Sequence, residues 1–175
     1  GTGALSITTT GTTTGTSGYG ISAKNSGTDL TINAATTTGG KNGIYAYNEG
    51  TSLTINAATT TGGRNGIYAF NYGTGALSIT TTGDTKGNWI FEKDDEGKII
   101  KDESNGGTDG DGIFAKNYGT DLTIDAATTT GGKNGIKAQN FGTGALSITT
   151  TGETTGGTGH GIYAYNAGSG GTSIT

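Results

Sequence analysis

The sequence predicts an all-β parallel β-helix, a solenoid of about six coils of 23–26 residues each, with one protruding β-hairpin insertion. Three observations predict it. One unit recurs through nearly the whole chain, most clearly as GTDLTINAATTTGGKNGIYAYN (27–48), GTSLTINAATTTGGRNGIYAFN (50–71) and GTDLTIDAATTTGGKNGIKAQN (119–140). Its anchor isoleucines, Ile21, Ile44, Ile67, Ile113, Ile136 and Ile162, are 23, 23, 46, 23 and 26 residues apart, so the doubled gap is one repeat carrying an insertion of about one repeat's length. Apolar content is 29% and 37 of 175 residues are glycine, which is too thin for an ordinary globular core. It suits a narrow stack whose order comes from backbone ladders.

Within a coil, Gly-Ile-Tyr-Ala-Tyr-Asn (43–48) alternates with period two, so Ile44, Ala46 and Asn48 share a face. Glu49-Gly50-Thr51 turns the chain, and Leu53 and Ile55 again share a face. The stretch 59–63 then forms a third short strand or turn. Glycine is expected at the corners, where positive φ is often required. Each coil adds about 4.8 Å, the spacing between neighbouring strands. The inward rows are therefore the anchor isoleucines, the alanines two residues later, and the Leu30/Ile32 pair with its equivalents. Asn25, Asn48, Asn71, Asn117, Asn140 and Asn166 have inward parity at the strand end. Asparagine there can bond its own turn and the next coil, so these six read as a structural ladder.

The opposite parity faces solvent. Tyr45, Tyr68, Phe114 and Tyr163 fall in one outer column, Tyr47, Phe70 and Tyr165 in the next, and Tyr72, Tyr118 and Phe141 in a third. Aromatics at coil spacing stack on one another, and they also suit sugar or protein contacts. Tyr45, Tyr47, Tyr68, Phe70, Tyr163 and Tyr165 are thus a second-rank candidate binding surface, which Lys24, Lys116 and Lys137 interrupt. Threonine triplets recur at 8–10, 36–38, 59–61, 80–82, 128–130 and 149–151. Threonine arrays on a β-helix resemble the ice-binding faces of some antifreeze proteins. Here the triplets sit beside glycines, at expected corners, and the flanking strand lacks a clean two-column Thr-x-Thr run.

Residues 88–110 depart from the repeat. Trp89–Lys93 and Lys98–Asp102 read as hairpin arms around the turn Asp94-Asp95-Glu96-Gly97. Insertions in solenoids emerge on one face, often the binding face. Trp89, Ile90, Phe91, Glu92, Asp94, Asp95, Lys98 and Ile100 are accordingly the first-rank binding candidates. Charge concentrates there too: residues 84–111 hold nine of the fourteen acids and four lysines, a net −5, against +1 for the rest. With no basic tract, nucleic acid is not an expected partner.

Catalysis is not expected either. The carboxylates lie mostly on the insertion rather than on facing coils, and the single His160 has no evident partner, so no nucleophile constellation assembles. The run 106–114 resembles one calcium-binding nonapeptide, with Asp109 in a glycine place. That site needs stacked copies, so neither a metal nor a cofactor is expected.

The alternating units GTGALSITTTG and GTDLTINAATTTGG, each leading to GIxAxN, resemble the passenger-domain repeats of bacterial autotransporters (type V secretion) over residues 1–87 and 112–175. The resemblance implies a right-handed β-helix carried outside the cell by its own C-terminal outer-membrane barrel. The absence of cysteine suits export through a pore. Expected from it is a single passenger fragment over 1–175, at the bacterial surface or secreted, that acts as an adhesion or virulence module toward a host or neighbouring-cell surface protein or glycan. A purely structural fibre segment stacking end to end, through open strand edges, and an ice-binding rod are the alternatives.

Overall fold

A computed structural model of the chain describes residues 1–87, 92–93, 99–100 and 110–175. It is a β-solenoid of about six turns, with no helix among the described residues. One six-stranded parallel sheet holds β2 (Ile21–Asn25), β4 (Asn42–Asn48), β6 (Asn65–Asn71), β11 (Ile113–Asn117), β14 (Ile136–Asn140) and β17 (Ile162–Asn166). The other sheet begins with three long strands, β1 (Leu5–Gly15), β3 (Leu30–Gly39) and β5 (Leu53–Gly62). In the later coils each long strand gives way to two consecutive short ones, β7 (Leu77–Thr81) then β8 (Thr85–Gly87), β12 (Leu122–Ala126) then β13 (Thr129–Gly131), and β15 (Leu146–Thr150) then β16 (Thr154–Gly156), followed by β18 (Thr172–Ile174).

Register follows the repeat. Ile44 pairs with Ile67, Ile67 with Ile113 and Ile113 with Ile136, so equivalent side chains stack coil over coil. Period-two alternation then drives one face inward on every strand. Leu53, Ile55, Ile67 and Ala69 and their equivalents in the central coils are fully buried. The Leu–Ile row of one sheet meets the Ile–Ala row of the other, and alanine lets the two sheets approach.

The two unit types differ by one residue. Ala57 pairs with Thr81, yet Thr60 pairs with Thr85, so the ALSITTTG unit spends one extra residue at the bend. The same slip lies between Thr9 and Thr12. A single unpaired residue at a bend is how a parallel ladder absorbs a length difference without losing register on either side.

This slip corrects the reading of the threonine triplets as corner residues. In 36–38 and 59–61 all three threonines lie within strands, and the middle one, Thr37 or Thr60, is fully buried. In 80–82 the middle residue, Thr81, instead takes the inward place of Ala57. Thr12–Thr14, outside the recognised triplets, pair with Thr36–Thr38. The buried hydroxyls of Thr37, Thr60, Thr85 and Thr129 have no hydrogen-bond partner.

The corner glycines also differ from expectation. Gly39, Gly62 and Gly131 do not adopt left-handed φ; the requirement is space. A Cβ on Gly62 would lie 1.7 Å from the Asn65 carbonyl oxygen, and one on Gly131 would lie 1.7 Å from that of Asn134.

At the insertion the rod is continuous. β6 pairs directly with β11, and Gly87 is in register with Gly62 below and Gly131 above. Gly110, the last residue of the insertion as read from the sequence, is buried in the rod, and its carbonyl accepts the Lys133 amide. Within the insertion, β9 (Glu92–Lys93) and β10 (Ile99–Ile100) are antiparallel, with Lys93 opposite Ile99 and Glu92 opposite Ile100. That is one residue out of the register that a turn over 94–97 would set. Trp89, Ile90, Phe91, Asp94, Asp95 and Lys98 lie outside the described residues.

Candidate functional site

The outer face of the six-stranded sheet carries all eleven aromatic side chains of the described residues, each in contact with another ring or a lysine. Outward parity puts all but Tyr19 there, Tyr19 coming from the corner before β2, and coil spacing brings them into contact. In the first column, Tyr19, Tyr45, Tyr68 and Phe114 follow one another at centroid distances of 4.9, 5.6 and 5.0 Å. Phe70, in the second column, links the first to the third, 4.8 Å from Tyr68 and 6.0 Å from Tyr72. Tyr47 contacts Tyr72 at 5.3 Å.

The third column is the most open. Tyr72, Tyr118, Phe141 and Tyr165 run along the rod at 4.7, 5.3 and 5.4 Å, and are 45%, 39%, 39% and 45% exposed. Tyr165 reaches this strip from the second column; its partner Tyr163 instead meets His160 edge-on at 5.8 Å.

The lysines that interrupt the columns in the sequence join them in space. Lys116 Nζ lies 5.1 Å from the Tyr118 ring centre and 4.9 Å from that of Phe141. Lys137 spans Phe114 and Tyr163, and Lys24 sits 4.9 Å over Tyr47. A long side chain can lay its ammonium on a neighbouring coil's ring, where the ring quadrupole holds it. The interruption is therefore chemical, not geometric.

Ring orientation decides what this face can bind. Tyr45–Tyr68, Tyr68–Phe114, Tyr72–Tyr118 and Tyr118–Phe141 are within 11° to 18° of parallel. Their faces cover each other, so a sugar cannot stack flat on an inner ring. Ring edges and phenolic hydroxyls are what face outward. Burial raises the Tyr68 and Tyr72 pKa values, which keeps those phenols neutral donors over an extended pH range.

Two asparagine columns fix the sheet from which this face projects. In the first, the Nδ2 of each residue donates to the Oδ1 of the next along Asn25, Asn48, Asn71, Asn117, Asn140 and Asn166, at 2.9 to 3.1 Å. Each Nδ2 from Asn48 onward also reaches a carbonyl three to five residues ahead, as Asn71 does to Gly75. The second column, Asn42, Asn65, Asp111, Asn134 and His160, was missed in the sequence. Its signal was the repeated Asn-Gly before each anchor isoleucine, replaced by Asp-Gly at 111–112. Tyr19 was also missed, because the first coil has a different corner.

On the other sheet, Thr12/Thr14, Thr36/Thr38 and Thr59/Thr61 form an outward two-column Thr-x-Thr array across three adjacent coils, contrary to the sequence reading. No side-chain hydrogen bond within the described residues engages these six hydroxyls. The next coil ends the array with an ion pair, Lys86–Asp84 at 2.7 Å. Among the described residues no group of three or more His, Cys, Asp or Glu side chains could hold a metal ion. Comparison with protein-family models, curated proteins and solved structures finds no match to this chain.

Proposed function

We propose that the chain is a surface-displayed adhesion module on a β-solenoid scaffold, which contacts a host or neighbouring-cell surface protein or glycan. The observation that carries this reading is the open aromatic strip Tyr72–Tyr118–Phe141–Tyr165. Exposed apolar strips rimmed by polar groups mark interaction surfaces. Aromatic edges with hydroxyls and a lysine between them give a partner both apolar contact and hydrogen bonds. The chain re-enters the rod at Gly110, at the corner leading into β11, whose Phe114 and Lys116 lie on this face. The autotransporter-like repeats support display outside a bacterial cell, at its surface or secreted. This reading assigns no catalysis, metal or cofactor.

The test is whole-cell binding by the intact chain and by the triple variant Tyr72→Ser, Tyr118→Ser, Phe141→Ser, with circular dichroism showing both to be β-folded. The variant should bind at least tenfold more weakly. Undiminished binding removes the strip from the contact.

A second reading rests on the three-coil Thr-x-Thr array. Uncharged hydroxyls and methyls at regular spacing can order water, which makes ice a ligand to test. A thermal hysteresis gap that Thr36→Lys abolishes supports it; freezing without a gap removes it.

A further inference from the structure

The second asparagine column has a rule and one exception. Asn65 presents two donors to the Asn42 Oδ1, its backbone N–H at 3.3 Å and its side-chain Nδ2 at 3.2 Å. Asn134 does the same to the Asp111 Oδ1, at 3.2 and 2.7 Å. At Asp111 only the backbone N–H reaches the rung below, 2.8 Å from the Asn65 Oδ1. By register, the second carboxyl oxygen of Asp111 takes the place where Asn65 and Asn134 carry an amide nitrogen. When ionised, it sets an acceptor against an acceptor. When protonated, it supplies the missing donor. Asp111 as a whole residue is 3% exposed.

The position is the joint where the chain re-enters the rod. The Asp111 carbonyl accepts the Gly66 amide at 3.2 Å, and the next strand, β11, starts two residues later. We propose that Asp111 is a proton-operated latch in this joint: neutral, it closes the second ladder by donating its O–H to Asn65; charged, it leaves the ladder open between the third and fourth coils.

Burial raises the Asp111 pKa, against the hydrogen bonds from Asn134 and the charges of Lys137 and Lys133 on the coil above. On the coil below, the neighbouring charge is Arg64, beside Asn65, and His160 closes the ladder two coils above. The sign follows from the raised folded value. Between the ordinary carboxylate value and the folded value, the folded protein holds a proton that the unfolded chain has released. The latch therefore stabilises the joint on the acid side and loses its effect as pH rises through the folded value.

The experiment uses the 175-residue chain, wild type and Asp111→Asn. Amide hydrogen exchange at Gly66, Asp111 and Asn134 is compared between neutral pH and about pH 4.5, corrected for intrinsic rates, and the Asp111 carboxyl carbon is titrated by NMR. In the wild type, protection of these amides should rise several-fold on acidification, while Asp111→Asn should be protected throughout and show no such change. The carboxyl should titrate above the ordinary aspartate value. Titration at or below that value, or an equal pH response in both proteins, overturns the proposal. The carboxyl titration needs only wild-type protein, so the test survives if the variant fails to fold.

Discussion

The two outer faces of this rod share a backbone and differ in what their side chains leave unsatisfied. On both, equivalent residues stack at the spacing of parallel strands, about 4.8 Å. On the six-stranded sheet that spacing suits aromatic rings, which close on one another and on lysine ammoniums. On the other sheet it carries Thr12/Thr14, Thr36/Thr38 and Thr59/Thr61, whose hydroxyls bond nothing in the described protein. One face thus supports itself and offers edges; the other leaves its polar groups to solvent. A repeat sets spacing, and side-chain chemistry decides whether a column is internal support or external surface.

That difference predicts a ranked series of stability effects. The largest should come from the asparagine ladder beneath the aromatic face. Asn71→Ala removes bonds to Asn48, Asn117 and Gly75 in a fully buried place, and should cost about 1–3 kcal/mol in urea unfolding. Tyr68→Ala comes next, since Tyr68 contacts Tyr45, Phe70 and Phe114; lost ring pairing should cost about 1.5 kcal/mol. Thr60→Val should move the other way. It replaces a buried, unpartnered hydroxyl with a methyl of similar shape, and should stabilise by about 1 kcal/mol. Smallest is Thr38→Ala, an exposed change on the hydroxyl face, expected to stay within about 0.5 kcal/mol. A Thr38→Ala cost matching that of Tyr68→Ala would erase the distinction between the faces.

The sequence was legible where alternation is strict. Ile67, Ala69 and Asn71 sit on one strand at period two, so their inward direction and their stacking could be read without coordinates. The second ladder shares that parity, since Asn42, Asn65 and Asn134 stand two residues before the anchor isoleucines; it was missed because the alternating run was read only from the glycine that follows each asparagine. The threonine triplets misled for another reason. One tripeptide serves two positions, and only the extra residue at the bend separates them. Lysine over an aromatic ring was hidden because its reach crosses coils, whereas a column is read one residue per coil. In the insertion, the antiparallel pairing of Glu92 with Ile100 agrees with a hairpin and lies one residue from the expected register.

The central claim is that contact with a cell surface runs through the aromatic face and not the hydroxyl face. Its most direct measurement is one binding assay on intact cells with three folded proteins: the unmodified chain, the Tyr72→Ser, Tyr118→Ser, Phe141→Ser variant, and a Thr36→Lys, Thr59→Lys variant of the opposite sheet. The account predicts that only the aromatic variant loses binding. Equal binding by all three, or loss confined to the threonine variant, would contradict it.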